Sequence, residues 1–208
     1  MNLTILLDAP RARTTDEFLL RDLPGTSGRL DVVCRVLISA YRSVPSFAPN
    51  IKFLTIFGGP PSPPLQLLVE GLQPNQIPES ELACAIILKT LLLLHRTKNQ
   101  RTHDEWSSFH LQPKSFQDTL DEVIQPSTQC LYLVEEGTPL EEVTLNLEDP
   151  IVLVLGDDQG LTPEHETLML RHSVQEVSMG TRSLLGSQVI SLFLFELEDR
   201  LKSKTSGS

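Results

Sequence analysis

Apolar residues along this chain recur with two periods, one typical of amphipathic helices and the other of buried strands. The clearest helical pattern covers residues 30–41, where one face is apolar at the i, i+3, i+4 and i+7 spacing. Continuous apolar runs such as IVLVL at 151–155 are instead typical of strands that are covered on both faces. The patterns and their flanking turn residues predict strands near 3–9, 51–58, 65–70, 130–134, 151–156 and 174–178, and helices near 30–41, 79–96, 115–124, 163–171 and 188–201.

The alternation of strands and helices predicts an α/β fold whose sheet is mostly parallel and flanked by helices. The turn GGPPSPPL at 58–65 is too short to contain a helix, so we expect the strands on either side of it to pair antiparallel. Residues 97–114 have no clear period and hold the only tryptophan of the chain, which leaves this segment unassigned. The polar residues 202–208 are expected to form a frayed tail.

The composition is typical of a soluble globular protein, with 40% hydrophobic and 21% charged residues. The apolar stretch at 86–94, which Lys89 and Thr90 interrupt, is too short to cross a bilayer, and the start MNLTILLDAPRAR lacks the basic leader of a secretory signal. Cys34, Cys84 and Cys130 lie on apolar faces without the spacing of metal ligands. We therefore expect buried, reduced thiols, a cytoplasmic location, no membrane contact and no metal site.

The net charge of −10 argues against a nucleic-acid partner, but the charges are unevenly distributed. Residues 1–60 hold seven Arg or Lys against five Asp or Glu, and a second basic cluster covers 89–101. Residues 121–170 hold twelve acidic residues and neither Lys nor Arg. This division would let one face bind an anion while the other stays solvated; the alternative is an acidic surface with scattered basic residues.

A turn-rich loop, PGTSG at 24–28, places Arg29 and Asp31 in the first turn of the helix at 30–41. Asp31 suits the positive end of the helix dipole, and a guanidinium such as that of Arg29 can clamp a phosphate or the edge of a base. The sequence therefore leaves two interpretations open at this helix start. One is a polar functional site, and the other is an ordinary helix start with a local ion pair.

Three loops of the C-terminal half follow predicted strands and are typical of loops that bind a nucleotide; they lie near 130–137, 150–160 and 178–187. Ligands of open α/β sheets bind at the carboxyl ends of the strands, where glycines let the backbone approach them closely. We expect apolar side chains of these loops to sandwich an adenine ring. The candidate binding residues in them are Leu133, Gly156, Asp157, Gly160, Met179, Leu184, Leu185 and Ser187.

Motifs of several other common sites do not occur in the chain. Neither GxGxxG nor GxxxxGKS is found, so the sequence signals no Rossmann dinucleotide site and no P-loop. The lack of HExxH and GxSxG argues against the corresponding hydrolases. The five histidines are interpreted as surface residues rather than ligands: His95, His103, His110, His165 and His172.

Four segments, LPGTSGRLDVVCR, FGGPPSPP, PIVLVLGDDQG and SMG…LLGSQVISL, occur in an order and spacing that span nearly the whole chain. In these segments the chain resembles the archaeal tRNA pseudouridine N1-methyltransferases and their bacterial relatives, in the SPOUT superfamily of S-adenosylmethionine-dependent RNA methyltransferases. The resemblance implies one domain at 1–208 with the SPOUT α/β-knot fold, in which a C-terminal trefoil knot covers about 129–201. It also implies a homodimer that packs through the knots, with an RNA site, for tRNA, that spans both subunits.

The same resemblance implies direct methyl transfer from S-adenosylmethionine to N1 of a pseudouridine splayed from its stack, with S-adenosylhomocysteine as product. Asp31 is then the candidate base, while Arg29 would hold a phosphate or stabilise the uracil anion. In the last helix, Val189 stands where archaeal members have a cysteine beside the cofactor, and Gln188 stands where they have a histidine. The alternatives are a SAM-binding RNA-interaction or regulatory module without catalysis, and a methyltransferase for another substrate.

Overall fold

The computed structural model describes residues 2–98, 106–172, 174–180 and 182–206. Within these residues one sheet contains seven strands in the order β4-β3-β2-β1-β6-β5-β7. The strands are β1 (Leu3–Arg13), β2 (Ile51–Gly59), β3 (Leu65–Glu70), β4 (Phe109–Gln112), β5 (Gln129–Pro139), β6 (Ile151–Leu155) and β7 (Val174–Ser178).

The sheet is mostly parallel, as predicted. Strands β2, β1, β6, β5 and β7 all pair in parallel, whereas β3 pairs antiparallel with both β2 and β4. The antiparallel pair across the proline-rich turn is thereby confirmed. Strand β4 lies in the segment that the sequence left unassigned, and β1 continues four residues beyond its predicted end.

Helices cover both faces of the sheet. Their bounds are α1 (Leu23–Thr26), α2 (Leu30–Arg42), α3 (Glu81–Arg96), α4 (Phe116–Val123), α5 (Pro163–Met169) and α6 (Gly186–Ser206). Apolar residues of α2, α3 and α6 form one core with the sheet, and those of α4 and α5 form a second core on the opposite face. The last helix extends through Ser206, so most of the segment expected as a tail is helical.

The start of α2 is fixed by an unusual backbone. Gly28 and Arg29 both adopt left-handed conformations, with φ of 69° and 75°. A Cβ atom at Gly28 would lie 1.8 Å from the carbonyl oxygen of Arg11, so only glycine fits here. Ser27 Oγ then accepts a hydrogen bond from Leu30 N at 3.0 Å, which gives the first amide of the helix a partner. This loop therefore determines where the Arg29 side chain leaves the backbone.

Candidate active site

A cavity of about 700 Å³ lies at the carboxyl ends of β5, β6 and β7, beside α2 and the start of α6. All three loops selected from the sequence contribute to its wall. Every predicted cofactor-binding residue lines it: Leu133, Gly156, Asp157, Gly160, Met179, Leu184, Leu185, Ser187 and Val189. Sequence reasoning missed the part of the wall that α2 supplies, through Val32, Arg35 and Val36. Their only signal was their place in the first two turns of the helix after Arg29.

The loop that follows β6 is a tight turn built on two glycines. Asp157 and Gly160 form a β-bridge, and Gly160 has a φ of 81°. A Cβ atom at Gly156 would lie 2.1 Å from the carbonyl carbon of Gly160, so a side chain has no room there. Asp157 Oδ1 accepts a hydrogen bond from Gln159 N at 2.9 Å. The backbone of this loop is thus held compact against the cavity, where it can approach a ligand closely.

The other two loops are tied to their neighbours by side-chain hydrogen bonds. Ser178 Oγ donates to the carbonyl oxygen of Glu135 at 3.1 Å, which links the ends of β7 and β5. Gln188 Oε1 accepts from Leu185 N at 2.9 Å, which holds the last loop to the start of α6. Gln188, which stands where the archaeal pattern has a histidine, therefore caps the start of α6 in this chain.

The lining fits the cofactor that the sequence predicts. The volume lies within the range of small-molecule sites. Four apolar side chains, those of Leu133, Met179, Leu184 and Leu185, line it together with the turn at 156–160. Apolar side chains beside a backbone turn suit an adenine ring, which needs both a flat apolar contact and hydrogen-bond partners at its edge.

Arg29 lies on the wall of the cavity, and Asp31 lies behind it. Arg29 donates from Nε to Asp31 Oδ1 at 3.0 Å and from Nη2 to Asp31 Oδ2 at 3.2 Å. Arg35 Nη2 donates to Asp31 Oδ2 at 2.8 Å, and its Nη1 to Glu81 Oε2 at 2.9 Å. The Asp31 side chain is only 2% exposed and is not part of the cavity wall. The local ion pair that the sequence left as an alternative is therefore present.

The electrostatics keep Asp31 ionised. Burial alone would raise the pKa of its carboxyl group, but the hydrogen bonds from Arg29 and Arg35 outweigh this and leave the pKa below its usual value. The same contact with Asp31 raises the pKa of Arg29. The charged forms of both residues are thus mutually stabilised.

A further arginine, which the sequence did not indicate, joins this group. Arg11 Nη2 donates to Asp157 Oδ2 at 2.9 Å and also contacts Asp158, whose Oδ2 accepts from Arg29 Nη1 at 2.8 Å. Burial acts to raise the pKa of Asp158, but Arg11 and Arg29 lower it overall. Three arginines and four carboxylates therefore form one network from β1 across the cavity rim to α3.

The interpretation of His165 as a surface residue is wrong. Its Nδ1 lies 2.6 Å from Asp8 Oδ2, and its ring stacks on Phe116 with the centroids 4.1 Å apart. The side chain of Asp8 is 1% exposed, so its carboxylate needs a protein partner, and α5 places His165 against it. Sequence periodicity gives no sign of this pair. His103 lies outside the described residues.

Other expectations from the composition were tested by the same structure. Cys34, Cys84 and Cys130 are free and buried, which confirms the prediction for the thiols. Within the described ranges, no cluster of three or more His, Cys, Asp and Glu is placed to hold a metal ion. In the same part of the chain, the helices are all too short or too polar to span a membrane.

Comparison with known proteins places these features in a family. The model of a family described as "SAM-dependent RNA methyltransferase" matches residues 3–201. A relative from Thermococcus onnurineus (strain NA1), named tRNA (pseudouridine(54)-N(1))-methyltransferase, is 35% identical over 192 residues, which are 90% of this chain and 93% of the relative. A protein of the same name from Pyrococcus abyssi (strain GE5 / Orsay) is 34% identical over 89% of this chain and 92% of its own length.

A solved structure has the same fold. It is Nep1 from Archaeoglobus fulgidus bound to S-adenosylhomocysteine, with a TM-score of 0.63 at 13% identity, over 97% of this chain and 99% of that one. The likeness confirms the predicted α/β class with its mostly parallel sheet. The trefoil knot at 129–201 stays a prediction.

Proposed function

The chain belongs to the family of SAM-dependent RNA methyltransferases, and on that premise we propose that it transfers a methyl group from S-adenosylmethionine to N1 of a pseudouridine in tRNA. The observation that carries the proposal is the convergence of three loops and Arg29 around one cavity. The specific base and RNA are supported by the name that the archaeal relatives share. A tRNA substrate and three free, buried thiols both fit a cytoplasmic enzyme.

The cavity residues divide by the part of the cofactor that they suit. We propose that the backbone of Gly156, Asp157 and Gly160 approaches the polar edges of the cofactor. The apolar side chains pack on the adenine ring, and Ser187 and Val189 close the cavity at the start of α6. When bound, S-adenosylmethionine supplies an electrophilic methyl group on its sulfonium.

Arg29 provides the charge that the substrate requires. Pseudouridine carries a free N1–H, whereas the same nitrogen of uridine bears the ribose. N1 is a good nucleophile only after it loses this proton, and negative charge then spreads over the uracil ring. The Arg29 guanidinium, fixed at the cavity wall by Asp31, supplies a positive charge that stabilises this negative charge.

Asp31 is proposed in the first place as the residue that orients Arg29. Its two oxygens already accept three hydrogen bonds from Arg29 and Arg35, and it has no surface in the cavity. It can accept a proton from the substrate, as the sequence suggested, only if the Arg29 contact opens. The two roles differ in their pH dependence, which provides a test.

The second half of the proposal is a homodimer through the C-terminal segment. One face of α6 packs on the core through Ile190, Phe193, Leu194 and Leu197. Its other face presents Leu192 and Phe195, which are 43% and 47% exposed, and Leu185 precedes them. A second apolar face on a long helix is typical of a helix that packs against a partner on that side. We propose that a second copy of the knot region covers it and that the RNA site spans both subunits.

The test is transfer of labelled methyl from S-adenosylmethionine to matched tRNAs, one containing pseudouridine and one containing only uridine. We expect label on the pseudouridine tRNA alone. Leu184→Trp fills the cavity and should abolish transfer and cofactor binding. Leu170→Trp is the matched control, because Leu170 is 82% exposed and lies outside the cavity, so its activity should equal that of the wild type.

The results separate three functions. Label on both tRNAs would mean that the methylated base is one that both tRNAs contain, and not pseudouridine. Cofactor binding without transfer to any RNA would favour the non-catalytic module of the same fold.

A further inference from the structure

We infer that Arg11 and Arg29 together form a binding site for one backbone phosphate of the substrate RNA, and that the Asp158 carboxylate competes with the phosphate for it. This inference rests on the proposed function, because it assumes an RNA substrate. It adds a residue, Arg11, and a competing group, Asp158, that neither the sequence motifs nor the comparisons assign.

The geometry at the rim is that of an anion receptor. Guanidinium groups from β1 and from the start of α2 converge on one carboxylate: Arg29 Nη1 lies 2.8 Å from Asp158 Oδ2, and Arg11 Nη2 contacts Asp158 Oδ1. Two converging guanidinium groups that bind a carboxylate can bind a phosphate with the same donors. The side chains of Arg11, Arg29 and Asp158 are 43%, 29% and 34% exposed, so an anion from solvent can reach them.

The two acidic residues of the loop differ in how firmly they are held. The side chain of Asp157 is 2% exposed and accepts a hydrogen bond from Gln159 N within its own turn. The Asp158 side chain is held by the two arginines and by a long contact of 3.5 Å with Gln159 Nε2. Asp158 can therefore leave the arginines without disrupting the turn, whereas Asp157 cannot.

The position of the site favours RNA phosphate over the carboxylate of the cofactor. Arg29 and Asp158 line the cavity but Arg11 does not, so the anion that the two arginines share lies at the edge of the cavity, beside Arg11. A splayed nucleotide that directs its base into the cavity would leave its phosphate at this point. Arg13, two residues along β1, lines a second cavity of about 510 Å³ together with Lys89 and Glu17.

Release of Asp158 also links the two ligands. Asp158 belongs to the turn at 156–160, which forms part of the cofactor cavity. If RNA displaces Asp158, the turn loses its contact with Arg29 and keeps only the contact between Arg11 and Asp157, and binding of RNA then changes the affinity for the cofactor. By thermodynamic linkage the cofactor changes the affinity for RNA by the same factor.

The experiment measures dissociation constants of a pseudouridine-containing tRNA at several salt concentrations, with and without S-adenosylhomocysteine. Asp158→Asn should tighten RNA binding about 3- to 10-fold, because the competing charge is gone. Arg11→Gln should weaken RNA binding by a similar factor and reduce the salt slope by about one, as expected for the loss of one phosphate contact. Arg11→Lys keeps the positive charge but lacks the planar guanidinium. Its affinity for RNA should lie between those of Arg11→Gln and the wild type.

Glu148→Gln is the matched control. It removes one negative charge from an exposed ion pair, that with Lys204, and it lies just before β6 at the opposite end of the strands from the cavity. A general effect of net charge on RNA binding would appear in Glu148→Gln as in Asp158→Asn. The inference requires a clearly larger effect in Asp158→Asn, with both variants unfolding at the wild-type temperature.

Three results would overturn the inference while leaving the proposed function intact, provided that the wild type still methylates pseudouridine tRNA. One is an Asp158→Asn variant that binds RNA no tighter than Glu148→Gln. Another is an Arg11→Gln variant that binds RNA normally. The third is an Arg11→Gln variant that loses more affinity for S-adenosylhomocysteine than for RNA, which would assign the anion to the cofactor. A wild type that neither binds nor methylates RNA would overturn both.

Discussion

At the scale of single residues, the role of Asp31 decides how the proton of N1 is removed. Asp31→Asn should lower the rate of transfer about 10- to 100-fold, because the amide no longer holds the Arg29 fork in place. If Asp31 only orients Arg29, the loss is the same at every pH. If it accepts the proton, the variant also loses the acid limb of the pH–rate profile. Single-turnover rates across pH, with Arg29→Lys for comparison, distinguish the two roles.

The same carboxylate predicts how stability depends on pH. The pKa of Asp31 is lowered in the folded protein relative to about 3.9 in an unfolded chain. A lowered pKa means that its stabilisation is complete above the unfolded value and is lost as the pH falls through the folded one. Urea unfolding from pH 7 downward should therefore show a smaller acid-induced loss of unfolding free energy in Asp31→Asn than in the wild type. Equal acid dependence in both proteins would contradict this assignment.

The buried pair of Asp8 and His165 gives a prediction for stability. His165→Phe leaves the Asp8 carboxylate buried without a partner and should lower the free energy of unfolding by about 3–5 kcal/mol. The double variant Asp8→Leu/His165→Phe removes the stranded charge as well and should be more stable than His165→Phe alone. His110→Phe, at an exposed position of β4, is the control. Together with the single variant Asp8→Leu, urea unfolding of the set forms a double-mutant cycle, and simple additivity would exclude coupling of Asp8 with His165.

At the scale of elements, the hydrophobic pattern predicted the strands of the core well. The bounds of β3 and β7 agree with prediction because clear turn residues flank both runs. Strand β1 was predicted to end before Pro10, yet it continues because Arg13 pairs with Gly59 of β2 after an irregularity. That pairing is tertiary and leaves no local pattern, so Arg11 could not be found from the sequence.

The site depends most on the loop that leads into α2, and a substitution of Gly28 tests this dependence. Gly28→Ala places a Cβ atom against the Arg11 carbonyl at a φ of 69°. Gly71→Ala is the matched control, because Gly71 has a φ of 66° with no atom within 4 Å of the added Cβ. We expect Gly71→Ala to cost about 1 kcal/mol from backbone strain and Gly28→Ala clearly more, together with loss of methyl transfer. Similar thermal stability of the two variants would show that the contact with Arg11 is unimportant.

At the scale of the whole molecule, the convergence of the three loops on one cavity was predictable and the charge network was not. Carboxyl ends of parallel strands meet at one edge of a sheet, so three glycine-containing loops after such strands had to converge. The contacts of Arg11 and Arg29 with Asp158 instead join residues 147 and 129 positions apart. Such pairs depend on the path of the chain in three dimensions, which neither periodicity nor spacing encodes.

The proposed dimer is also a property of the whole molecule, because it would complete the RNA site. Leu192→Glu places a charge on the exposed apolar face of α6 and should convert a dimer into a monomer in light scattering after gel filtration. Leu170→Glu carries the same change at a more exposed position away from α6, and it should remain dimeric.

The monomer should also lose transfer to tRNA while it retains its fold by circular dichroism, since one subunit would hold only part of the RNA surface. A wild type that is already monomeric at assay concentration, yet active, would exclude a shared site. A Leu192→Glu monomer with full activity would instead confine both the cofactor cavity and the RNA contacts to a single chain.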